Sequence, residues 1–66
     1  MKICDFVKWE LDLFRRECNF TAEELEFFNY RAKNETLELI AEKMNISVGK
    51  ADKLSRKVKN KILKIL

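Results

Sequence analysis

Lys50, Lys53, Arg56, Lys57, Lys59, Lys61 and Lys64 stand within the last twenty residues against a single acid, Asp52. Ammonium and guanidinium groups at this spacing break no bonds by themselves; what they do is attract anions, phosphate groups above all. The 46 residues before them hold seven basic and ten acidic side chains, a net charge of −3, so the last twenty contribute +6 to the chain total of +3. Such a split in a 66-residue chain concentrates positive potential on one part of the molecule, where an anionic partner docks.

Reaction chemistry has no comparable support. The chain has no histidine and only one glycine, so neither a histidine base nor a glycine-rich phosphate loop is available, and 66 residues enclose no substrate. No catalytic residue, cofactor or enzyme activity is expected. Cys4 and Cys18 lack both CxxC spacing and a histidine partner, which excludes a zinc site. On one helix they would lie about 21 Å apart, too far to bridge, so free thiols are expected. The opening MKICDFVKWE lacks the apolar core of a secretion signal, and no run reaches the roughly 18 apolar residues of a membrane span. These features predict a soluble cytoplasmic protein.

The elements that position the basic residues follow from apolar spacing and caps. With no proline, one glycine and 47% apolar residues, the composition predicts a single all-α domain over 1–66. A first helix is expected over 2–18, ended near Asn19. Thr21 with Glu24 reads as a capping box, with a hydrophobic staple from Phe20 to Leu25, and opens a second helix over 22–32. Thr36 caps a short third helix over 37–44, in which Leu37, Ile40, Ala41 and Met44 repeat at helical spacing. Asn45 supplies the left-handed turn and Ser47 the next cap. The fourth helix, 48–66, places Val48, Ala51, Leu54, Val58, Ile62 and Ile65 on one face and the lysines elsewhere. A short helix joined by three residues to a long basic one predicts a helix-turn-helix.

At this point residues 20–47, FTAEELEFFNYRAKNETLELIAEKMNIS, resemble the DNA-binding domain of LuxR-type response regulators and the fourth, promoter-recognising region of bacterial sigma factors. The residues that carry the likeness are Thr21, Glu24, Phe27-Phe28, Arg31-Ala32, Ile40 to Met44 and Ile46-Ser47, with Thr36-Leu37 nearer the sigma-factor version. Lys57 to Ile62 resemble the basic, apolar-spaced helix end common to both. The small Ala41 would let the two helices approach, and Ile46 would plug the turn. The first eighteen residues match neither family.

The resemblance implies a small four-helix domain whose last helix reads duplex DNA, and a transcriptional regulator as the function. The expected DNA contacts are Ser47, Val48, Gly49, Lys50, Asp52, Lys53, Arg56 and Lys57. The first of these enter the major groove, and Arg56 and Lys57 reach the backbone. Val48 and Gly49 stand where sigma factors place arginine and glutamate, and Asp52 where a basic residue is common. A helix rich in lysine, with one arginine, favours affinity over base reading. Gly49 either lets the backbone approach DNA or is merely tolerated in a first turn, at a cost near 1 kcal/mol.

On the first helix Ile3, Val7, Leu11, Phe14 and Cys18 form one apolar stripe, and Phe6, Trp9 and Leu13 a second. The second stripe either packs beneath the end of the fourth helix or meets another chain in a homodimer. A rival function keeps the fold but uses it on protein, with RNA polymerase as the partner that the sigma-factor likeness suggests. An anionic membrane surface is a weaker fit, because the apolar face of the basic helix has a use in the core.

Overall fold

The computed structural model describes residues 2–66, and among them there are four α-helices and no strand. They are α1 (Lys8–Glu17), α2 (Ala22–Ala32), α3 (Leu37–Met44) and α4 (Val48–Ile65), preceded by a single 3₁₀ turn at Ile3–Asp5. Among the described residues no helix is long and apolar enough to cross a membrane.

The continuous helix expected over 2–18 is the main local correction. Phe6 and Val7 are extended, with ψ of 144° and 166°, and α1 begins only after them. Glu10 secures that start by accepting a hydrogen bond from the Val7 N–H at 3.0 Å. The break serves the core. On an unbroken helix Phe6 and Phe14 would stand about 12 Å apart along the axis, whereas here their rings meet edge to face at 4.9 Å. The same bend buries Ile3 and lets the Cys4 thiol donate to Asn34 Oδ1 at 3.4 Å. Val7 leaves the expected core stripe and is 53% exposed.

Every later helix starts on a side-chain cap. Thr21 accepts from the Glu24 N–H, Thr36 from that of Leu39 and Ser47 from that of Lys50, each satisfying an amide that the first turn leaves free. Three asparagines handle the reversals, with positive φ at Asn19, Asn34 and Asn45. After α3, the Asn45 N–H bonds the Glu42 carbonyl and the Ile46 N–H bonds the Ala41 carbonyl, the paired closure of a Schellman turn. A glycine is the usual occupant of such positions; asparagine tolerates the conformation with a short polar side chain.

The core gathers Phe14 from α1, Phe27 and Phe28 from α2, Ile40 from α3, and Val58 and Ile62 from α4, all essentially inaccessible to water. Phe28 is its aromatic hub. Phe14 meets it edge to face at 6.5 Å, Phe20 packs on it at 5.1 Å, and the Arg15 guanidinium lies 5.4 Å from its centroid. Such pairs add about 0.5–1.5 kcal/mol beyond the area they bury. Phe20 therefore turns toward Phe28, and Leu25, its expected staple partner, stays exposed. Between α2 and α3, Lys43 pairs with the Glu35 carboxylate and lies 5.3 Å from the centre of the Tyr30 ring.

Candidate nucleic-acid interface

The orientation of α4 follows from which of its residues are apolar. Ala51, Leu54, Ser55, Val58 and Ile62 are buried at helical spacing, and α4 packs chiefly against α2 and α3. Val48 and Ile65, expected at the two ends of this stripe, are exposed instead. Ser55 joins the buried stripe although its hydroxyl gave no apolar signal.

The remaining faces carry the basic residues, and their environments differ. Lys50 Nζ lies 3.2 Å from Glu23 on α2, with both side chains more than half exposed. Arg56 is held by Asp52 at 2.9 Å, one turn back on the same helix. Lys61 is half-buried and anchored inward: it donates to the Glu24 carboxylate and, at 3.2 Å, to the Asn19 carbonyl. Lys53, Lys57, Lys59 and Lys64 have no carboxylate within salt-bridge distance among the described residues.

A cleft of about 460 Å³ opens between the start of α2 and the first half of α4. Ser47, Gly49, Lys50, Lys53, Leu54 and Lys57 line it from α4 and its cap, and Glu23 from α2. Of the eight residues singled out from sequence, the fold brings five to this cleft, while Val48, Asp52 and Arg56 lie outside it. Glu23 was not among the eight. Its place beside Thr21 and Glu24 reads as ordinary helix-start chemistry, and only the packing of α2 on α4 sets it against Lys50.

Two local features bear on what this face can do. The Ser47 hydroxyl oxygen already accepts the Lys50 N–H at 3.1 Å, so toward any partner it retains chiefly its own proton to give. Gly49 has no positive φ, and a Cβ placed on it would meet only Ser47 Oγ, at an ordinary 3.9 Å. Nothing in the folded chain requires glycine there.

Elsewhere the chemistry is quiet. Burial pushes the Cys18 thiol up, against a smaller opposing pull from Lys61, which keeps it protonated and unreactive. Both cysteines are free, and no cluster of potential metal ligands exists among the described residues.

The second stripe of the first helix divides. Phe6 sits before the bend and packs on Phe14, so it does not share a helical face with Trp9 and Leu13. Leu13 is half-buried, and Trp9 is 68% exposed. The packing of Trp9 beneath Val58, Ile62 and Ile65, the intramolecular option, is not realised.

No protein-family model, curated protein or solved structure matches the chain.

Proposed function

We propose that the chain is a small helix-turn-helix transcriptional regulator that binds duplex DNA, with α3 and α4 as the two helices of the motif and α4 as the one that reads. The observation that carries this reading is the cleft at the start of α4, where Lys50, Lys53 and Lys57 line one open surface beside the buried stripe of the helix. In a helix-turn-helix the first turns of the second helix face base edges in the major groove. Gly49 leaves the backbone bare at that point. The lysines neutralise phosphates as point charges, so most of the affinity comes from counterion release and little from base reading.

Titration of a random-sequence duplex over a salt series tests this. Affinity falls steeply as salt rises, and changing Lys50, Lys53 and Lys57 together to alanine flattens that dependence by up to about three phosphate contacts. A folded triple variant that binds as the parent does would overturn the assignment.

Trp9 favours a protein contact as well, since its indole is mostly exposed and tryptophan is enriched at interfaces. A second copy of the chain, meeting it through Trp9 and Leu13, would pair two half-sites and raise affinity. RNA polymerase is the alternative occupant, and sedimentation of the chain alone separates the two.

A further inference from the structure

Among the described residues Glu23 is the only carboxylate lining the basic cleft; as a first-turn acid it suits the start of α2, but it takes no part in the cap. The capping box of α2 is made by its neighbours: Thr21 accepts the Glu24 N–H at 3.2 Å and Glu24 accepts the Thr21 N–H at 2.9 Å. Among the described residues the one polar partner of Glu23 is Lys50, at 3.2 Å. With side-chain exposures of 55% and 53%, the pair is open to water, which screens it and leaves little to hold it closed. An anionic oxygen thus stands beside the Lys50 ammonium in a cleft that Lys53 and Lys57 also line, wide enough to hold a phosphodiester group.

We infer that this cleft is a seat for one backbone phosphate of duplex DNA and that Glu23 occupies it in the free protein as an internal competitor. The inference rests on the DNA-binding reading above and adds a residue that limits affinity. Binding exchanges the Glu23 carboxylate for a phosphate oxygen on Lys50, and the displaced carboxylate then faces the phosphate as a like charge. Both effects weaken binding to any duplex whatever its sequence, so the chain rejects contacts that its lysines alone would accept. Lys61 and Glu24 offer no such exchange, because Glu24 is buried and its Oε1 already accepts from Lys61 and from the Thr21 N–H.

The test is a double-mutant cycle of Glu23→Gln and Lys50→Ala, read by fluorescence anisotropy of a labelled random-sequence duplex, with circular dichroism confirming equal helix content. Glutamine keeps the shape of the exposed side chain and removes its charge. Glu23→Gln tightens binding about two- to tenfold, and the gain is smaller when Lys50 is already alanine, because only the like-charge part then remains. An unchanged affinity for Glu23→Gln overturns the inference while leaving the DNA reading intact. So does an equal gain in both backgrounds, which would mean that Glu23 acts only through net charge. A parent chain with no salt-dependent affinity for duplex overturns the DNA reading itself, and the phosphate seat with it.

Discussion

Lys61 reaches across 37 positions of sequence to the carboxylate of Glu24, which is only 4% exposed, and donates to the Asn19 carbonyl as well. One side chain of the basic helix thereby ties the end of α1 and the start of α2 to α4. Lys61→Ala strands a buried carboxylate and should lower stability by about 1–3 kcal/mol in urea unfolding. Under the DNA reading, the same variant alters the salt dependence of duplex binding less than the loss of Lys50, Lys53 or Lys57, because the Lys61 ammonium is already engaged by Glu24 and Asn19.

The acid limb of stability should report the same contact. Burial alone would raise the Glu24 carboxyl, but hydrogen bonds from Lys61 and Thr21 outweigh it and hold the group below its ordinary 4.5. A carboxyl depressed in the native state stabilises folding in full above its unfolded pKa, and the contribution is lost as pH falls through the native one. Urea midpoints of the parent and Glu24→Gln should therefore differ most near neutral pH and converge below pH 4.5. A gap that stays constant into acid would show that the charge on Glu24 is not what stabilises the junction.

Ala41 is buried in α3, the helix that packs on α4, and it carries the carbonyl that closes the Schellman turn. Ala41→Leu should overpack this junction at a cost of about 1–3 kcal/mol, seen as a lower melting temperature. A variant that melts with the parent would mean that the space beside Ala41 is open.

Much of this was legible in local sequence, and what was not has a common cause. The caps at Thr21, Thr36 and Ser47 and the left-handed turn at Asn45 depend on residues three or four apart, so side-chain type and spacing were enough to locate them. The bend at Phe6-Val7 was hidden because Ile3, Val7 and Leu11 satisfy helical spacing and no glycine or proline interrupts them; the burial of Ile3 and Phe6 against the rest of the core overrides that pattern. The division of the lysines into paired, anchored and free groups was equally hidden. Lys50, Lys53, Lys57 and Lys61 look alike along the chain, and only the seating of α2 on α4 separates them.

Gly49→Ala separates folding from binding. The added methyl meets no clash, so the fold should gain up to about 1 kcal/mol, measured by urea unfolding. Under the DNA reading the same methyl stands between the helix backbone and the duplex, and affinity should drop. A variant that is both more stable and equally tight in binding would show that Gly49 is simply tolerated.

Trp9→Ser should leave the melting temperature of the monomeric chain almost unchanged, because the indole makes little of the core. Sedimentation at high protein concentration then decides its role. A parent that dimerises and a variant that does not would assign Trp9 to self-association, whereas a parent that stays monomeric removes the homodimer.

The three asparagines at Asn19, Asn34 and Asn45 also shape the state from which the protein folds. Glycine at these reversals would relax the left-handed backbone, yet it would widen the range of conformations open to the denatured chain at three separate points. Asparagine accepts some local strain in exchange for a narrower denatured ensemble. In a chain this short, with little core to offset lost entropy, the freedom withheld from the unfolded state counts toward stability alongside the contacts in the folded one.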